Sequence, residues 1–292
     1  LIAALVAKYY GRPVETYSIG FKGSEDLKHA KIVADHIGSI HHSIEVTEEY
    51  FFEHIPETIR AIESYDTTTV RASVGNYLVS KYIRDHSEAK VVFNGDGADE
   101  VAGSYMYFYY AADPLKFDEE CRRLLDDIHL YDVLRSDRSI SSNGLEPRTP
   151  FLDKAFVQAY LSIPAELRDH GYQNKQEKYL IRAAFSDMLP PVVLFRGKEA
   201  FSDGVSSNKN SWFEVIQQKI SEDDGIQRLI ERQLPYKHNA PKTDEQKYYR
   251  AVFEEHFKGY ARTIPYFWMP KWVDADDCSA RVLSVYKNKS CH

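Results

Sequence analysis

Cysteine is scarce in this chain. Its 292 residues hold three thiols, Cys121, Cys278 and Cys291, far apart and with no CxxC pair. That spacing argues against a structural zinc site and a disulfide scaffold, and points to a reducing compartment, here the cytoplasm. Long apolar runs are missing too. The longest clean one covers residues 1–7, well short of the ~20 that cross a bilayer, and no charged start marks it as a signal peptide. Positive charge is in deficit, with 37 Lys and Arg against 44 Asp and Glu, a net charge of -7. An acidic chain has no global attraction for nucleic acid or an anionic membrane, so neither is expected as a partner. Internal repeats, low-complexity tracts and flexible linkers are absent from the sequence as well.

What remains is a globular composition, 43% hydrophobic and 28% charged. The length suits one large domain or two smaller ones. The chain opens on Leu1 and its apolar run starts at once. A helix without a lead-in looks cut from a longer chain.

The first third alternates helix and strand. Residues 1–10 read as a buried helix, and residues 14–21 (VETYSIGF) as a strand bounded by Pro13 and Gly23. Ser24 is a helix N-cap with Glu25 and Asp26 in the first turn, and Gly38 ends that helix. Residues 42–46 form a second strand. Ile55, Ile59 and Ile62 mark a short helix, Val74, Leu78 and Tyr82 another, and residues 89–93 a third strand. This βαβ alternation predicts an α/β fold, a parallel sheet flanked by helices, over residues 1–115. Beyond about residue 115 the strand signals stop, so residues 116–292 are expected to be mainly helical and packed on the first part. Residues 243–246 carry a capping-box signal. Residues 221–224 and 235–241 read as surface loops.

The third strand runs into VVFNGDGADEV, residues 91–101. In parallel sheets ligands sit beyond the carboxyl ends of the strands. Gly95 and Gly97 allow a tight turn and close approach to a ligand, and Asp96, Asp99 and Glu100 supply hard oxygens. A magnesium–nucleotide suits such a turn. A calcium loop does not, because its glycine would fall on Asp99 and its closing glutamate on Tyr105. The competing reading is a solvated turn whose aspartates cap the next helix. Thr67, Thr68, Thr69 and Arg71 could hold a carboxylate substrate, since arginine grips carboxylates with paired bonds; the alternative is a helix cap. The stretch EPRTPFLD reads as an ion-paired turn. Lys198, in a glycine-bounded loop, is a mobile charge for phosphate or simply solvated. His41 and His42 point to opposite faces of a strand and read as structural.

Taken in order, YSIGFKGSEDLKHAKIVADHIGSIHH, ESYDTTTVRAS, NGDGADEVAGSYMYF, LEPRTPFLD, RGKEAFSDGV and PYFWMPKW resemble the C-terminal synthetase domain of glutamine-dependent asparagine synthetases, from Leu1 to about Tyr286. The resemblance implies the adenine nucleotide alpha-hydrolase-like sheet of the ATP pyrophosphatases. It implies ATP and Mg2+ as cofactors, aspartate and ammonia as substrates, and a ligase that makes asparagine through β-aspartyl-AMP. It implies an N-terminal glutaminase domain in the parent chain as partner, and a homodimer is compatible with it. By the same resemblance, Asp96 and Lys198 are catalytic, Asp96 handling the proton of ammonium and Lys198 steadying the transferring phosphoryl group. Ile19, Asn94, Gly95 and Asp99 bind the nucleotide, Asp99 also as metal ligand, and Thr68, Thr69 and Arg71 bind aspartate.

Departures accompany the match. The family's Ser-Gly-Gly-x-Asp-Ser pyrophosphate loop would stand just before Leu1, so this chain alone is expected to be inactive. Asp96 stands where well-known members have Glu, Asn94 where Ser is common, Ala98 where Ser is frequent, and Ser104 where a second glycine is usual. Two other readings stay open: a β-lactam synthetase-like amide-forming enzyme, and a non-catalytic nucleotide-binding regulatory module.

Overall fold

The structure, a computed structural model, describes residues 1–198, 204–206, 211–233, 235–275 and 277–278. The loop just after Lys198, Cys291 and the end of the second predicted part lie outside the described residues. In chain order the elements that build the site are α1 (Ile2–Tyr10), β1 (Glu15–Phe21), α2 (Glu25–Ile37), β2 (Ile40–Val46), α3 (Glu48–Glu53), α4 (Ile55–Ile62), α5 (Thr67–His86), β3 (Val91–Phe93), α6 (Ala98–Ala102), α7 (Pro114–Asp126), α8 (Asp132–Ser141) and β4 (Glu146–Arg148). Shorter helices and three longer ones, Trp212–Glu222, Asp224–Gln233 and Asp244–His256, follow. No helix among the described residues is long and apolar enough to cross a membrane.

The chain is therefore α/β, but its strands form two parallel pairs and not one sheet among the described residues. β1 runs beside β2, with Glu15 opposite Ile40 and Phe21 opposite Val46. β3 runs beside β4, with Val91 opposite Glu146 and Phe93 opposite Arg148. β4 overturns the expectation that strands stop near residue 115. Its sequence, Glu-Pro-Arg, argues against a strand because proline cannot donate to a ladder. Pro147 is tolerated because β4 pairs on one side only. Glu146 N–H donates to the Lys90 carbonyl at 2.7 Å and the Asn94 N–H donates to the Arg148 carbonyl at 3.0 Å, extending the ladder past β3.

Local rules place the other elements. Ser24 accepts from Leu27 N–H and Gly38 closes α2 in the left-handed conformation. Asp66 caps α5, accepting from the Thr69 amide at 2.9 Å. α4 puts Ile55, Ile59 and Ile62 on one face, each with 0% exposure. Burying each such side chain is worth roughly 1.5–3 kcal/mol. They pack with Val70, Val74, Trp212, Ile216, Tyr249 and Phe253 in the largest core cluster, which draws on residues from both sides of position 115. Two expectations fail. α1 buries only Ala4, so its apolar sequence is not a fully buried helix. Residues 221–224 are not a free loop but a break at Asp223 between two helices, whose side chain accepts from Gly225 and Ile226 N–H.

Candidate active site

A cavity of 1330 Å³ opens between the two strand pairs. Glu15, Thr16 and Tyr17 of β1 line one wall and Val91, Val92 and Phe93 of β3 another. Asn94, Gly95, Asp96, Gly97 and Asp99 stand at the end of β3, where α5, α8 and the Trp268 segment converge.

The turn itself is locked by its own polar groups. Asn94 Oδ1 accepts from the Asp96 N–H at 3.1 Å, the short-range bond that makes Asn a turn residue. Its amide donates to Ser136 Oγ at 2.8 Å. Asn94 thus shapes the turn with its side chain. Gly97 sits at φ 84°, and a Cβ there would lie 2.3 Å from Leu152 Cγ, so glycine is required on two counts. At Gly95 nothing would meet a Cβ within 4 Å; the position leaves open backbone on the cavity wall.

Asp99, in the first turn of α6, faces two ammonium groups. Lys178 Nζ lies 2.6 Å from Oδ1 and Lys198 Nζ 2.5 Å from Oδ2. The Ser104 hydroxyl also donates to Oδ1. Burial alone would raise the Asp99 pKa, but the two lysines outweigh it and hold the carboxyl well below its usual range. Lys198 Nζ lies 5.7 Å from the centre of the Tyr105 ring. Glu100, next in line, points into the interior. Tyr105 OH donates to its Oε1 at 2.5 Å, and burial with nearby Asp132 and Asp99 pushes its pKa well up.

Asp96 lies across the turn. Its Oδ1 is 3.3 Å from Arg135 Nη2, and the same nitrogen pairs with Asp132. Burial raises the Asp96 pKa, Arg135 opposes that rise, and Asp132 adds to it. A carboxylate with a raised pKa on a cavity wall is a stronger base than an ordinary aspartate and can take and return a proton.

The hydroxyl and guanidinium set separates. Thr68 lines the cavity, and among the described residues its buried Oγ1 has no hydrogen-bond partner beyond the weak Cys278 thiol. Thr69 is fully buried and its hydroxyl donates to Asp66 Oδ2 at 2.8 Å, so it serves the cap of α5. Arg71 reaches the cavity wall, but its fork is engaged inside the protein. Glu245 accepts from Nε and Nη2 at 2.7 and 2.6 Å, and Asp277 accepts from Nη1 and Nη2 at 3.0 and 2.7 Å. Ile19 is apart from all of these. It is 3% exposed in β1, paired with Ile44, and borders a smaller groove of 430 Å³.

A magnesium ion does not fit Asp99 as arranged. Both carboxylate oxygens are held by ammonium groups, and a cation there would meet two positive charges. Among the described residues no group of three or more His, Cys, Asp or Glu side chains is placed to hold a metal.

The cavity thus brings Asn94, Gly95, Asp96, Asp99, Lys198, Thr68 and Arg71 to one place and leaves Ile19 and Thr69 outside its lining. Asp132 and Arg135 join its lining, and Lys178 stands outside it, against Asp99; the sequence singled out none of the three. The one local signal for the first two is their i, i+3 spacing on α8, common to many surface pairs. Lys178 carries no signal at all, because its role depends on contact with a residue 79 positions earlier in the chain.

Comparison with known proteins shows the family of the chain. The sequence model of the asparagine synthase family matches residues 1–119 and 110–275. The chain is 46% identical over 280 residues to the glutamine-hydrolysing asparagine synthetase of Homo sapiens, covering 94% of this chain and 49% of the human protein. It is 46% identical over 297 residues to that of Gallus gallus, covering 99% of this chain and 52% of the chicken protein. The Bos taurus protein is 46% identical over 279 residues. The chain spans about half the length of these relatives. With a family match over most of its length, and an acidic turn at a strand end facing a large cavity, the chain belongs to the asparagine synthase family.

Proposed function

We propose that this chain is the synthetase part of an asparagine synthetase, activating aspartate with ATP and amidating the product with ammonia. The observation that carries the reading is the pairing, on one cavity wall, of a lysine-clamped carboxylate (Asp99 with Lys198) with a carboxyl of raised pKa (Asp96). The first is suited to phosphate, the second to a proton. The relatives' name, glutamine-hydrolysing asparagine synthetase, supports asparagine as the product. We also take the two strand pairs as parts of an adenine nucleotide alpha-hydrolase-like sheet, with residues 1–115 as its α/β portion, and place the protein in the cytoplasm.

In this reading the side-chain carboxylate of aspartate attacks the α-phosphorus of ATP. The bond to the bridging oxygen breaks and pyrophosphate leaves with the electron pair. Lys198 faces the developing phosphate charge; such transfer is catalysed chiefly by positioning and charge stabilisation. Ammonia then adds to the acyl carbon and AMP departs. The proton lost by the nitrogen goes to Asp96, whose carboxyl is tuned to hold it. Thr68 offers aspartate a hydroxyl that has no strong internal partner. Arg71 can join only if a substrate carboxylate displaces Asp277 from its fork. Gly95 offers backbone to the nucleotide. Magnesium, expected with ATP, would be carried by the phosphates, since Asp99 is occupied by its lysines. The glutaminase partner is proposed from the relatives' length and name.

The test is aspartate-dependent release of pyrophosphate, with asparagine assayed in parallel, by the protein in its natural length with ATP, magnesium and ammonium. Equal yields of the two products are expected. ATP binding with no release would favour the regulatory reading, for which the saturated Arg71 fork speaks. Release driven by another carboxylate substrate would favour a β-lactam synthetase-like activity.

A further inference from the structure

We propose that Lys178 is a positioning residue that leaves Lys198 with unspent charge, so that Lys198 can take a phosphate oxygen. The inference rests on the synthetase reading above. Its basis is the sharing of one carboxylate by two ammonium groups. Lys178 takes Asp99 Oδ1 and Lys198 takes Oδ2. Two positive charges against one negative leave the trio with an excess of one positive charge. The other carboxyls nearby do not cancel it. Glu100 points away into the interior, where Tyr105 OH donates to it at 2.5 Å. Glu177 is engaged by Arg182 at 2.5 Å. Without Lys178, the full charge of Asp99 would fall on Lys198 and close it as an internal ion pair.

Lys178 does not itself line the cavity, whereas Lys198 and Asp99 do. It therefore acts through them. Its backbone adds an independent mark. Lys178 sits at φ 58°, ψ 20°, the left-handed region, as the residue preceding the helix Tyr179–Ala184. That conformation is unfavourable for a lysine, and such local strain concentrates at functional positions. Glycine or asparagine would relieve it, but neither could reach Asp99 with a positive charge. The ligand class is a polyphosphate, because the excess charge faces the cavity beside the open backbone of Gly95.

The test compares Lys178→Asn, Lys178→Arg, Lys198→Ala and the double variant Lys178→Asn/Lys198→Ala in the protein of natural length. Asparagine tolerates the left-handed backbone, so the ammonium is removed without new strain; Lys178→Gln removes it on a longer stem should the first variant not fold. The readouts are kcat for aspartate-dependent pyrophosphate release and the affinity for inorganic pyrophosphate measured by calorimetry. Lys178→Asn is expected to lower both about tenfold, less than removal of a direct donor to the phosphoryl group. The KM for ammonium should stay unchanged, and Lys178→Arg should restore most of the loss. In the Lys198→Ala background the Lys178→Asn change should add nothing further. Unchanged kcat and pyrophosphate affinity in Lys178→Asn, or a full additional loss in the Lys198→Ala background, would overturn the inference while leaving the synthetase reading intact. Should the unsubstituted protein release no pyrophosphate with aspartate, that reading falls, and calorimetry with pyrophosphate still decides the role of Lys178.

Discussion

Replacing Asp99 by asparagine preserves shape and removes one charge. The amide oxygen can still accept from one lysine, but the amide nitrogen would turn its hydrogens toward the other ammonium. Lys178 and Lys198, with side chains 22% and 13% exposed, would be left without their counter-ion. Removing one partner of a buried pair costs roughly 3–5 kcal/mol. Partial solvent access here places the expected loss at the lower end, about 3 kcal/mol. For a chain of this size that is a fall of roughly 6–12 °C in melting temperature. The pH dependence has a definite sign. Asp99 has a folded pKa held well below its unfolded value of about 3.9. Its stabilisation is therefore present above about pH 4 and fades as the pH falls toward the folded value. Urea denaturation of the parent and Asp99→Asn between about pH 7 and pH 3 should show a gap that is constant above about pH 5 and narrows below it. Added pyrophosphate should stabilise the variant more than the parent, because it can supply the missing negative charge. A gap at pH 7 below about 1 kcal/mol, a gap that widens on acidification, or no selective rescue by pyrophosphate would refute the clamp.

Gly97→Ala should cost about 2–4 kcal/mol, from the positive φ and the contact with Leu152, and should also impair activity by moving Asp96 and Asp99; a loss under 1 kcal/mol by denaturation would contradict the steric argument. Arg135→Ala removes the group that opposes the rise in the Asp96 pKa, so the acid limb of kcat/KM for ammonium should move to higher pH; a limb that stays or moves down would exclude Asp96 as the base read in that profile. Ile59→Ala opens a hole in the main core and should destabilise by about 2–5 kcal/mol with kcat unaffected in the protein that remains folded, checked by denaturation and initial rates together.

The legible parts of the fold were those set by local rules. Ser24 and Gly38 bracket α2 because a hydroxyl cap and a left-handed glycine act within one turn. The isoleucine spacing of α4 gave its buried face for the same reason. β4 was hidden because Pro147 and its flanking charges violate strand preference, and only its partner β3 makes the strand. The site divided likewise. Asp96 and Asp99 were visible as carboxylates on a glycine turn. The partner of Thr69 was not legible, because a hydroxyl beside a helix start reads the same whether it meets ligand or cap, and in the fold it bonds to Asp66. Arg71 was assigned a ligand that Glu245, 174 residues later, already replaces.

The family motifs, the acidic turn after β3 and the helices with local caps and periodicity are legible in the chain, because those properties depend on neighbours along it. Which carboxylate is clamped and which is tuned is set by contacts made on folding. Asp96 and Asp99 are chemically identical and three positions apart. Arg135 and Asp132 on α8 set the first, and Lys178 and Lys198 from the far half set the second. Charge–charge coupling depends on distance in space and on burial, and neither can be read from order along the chain.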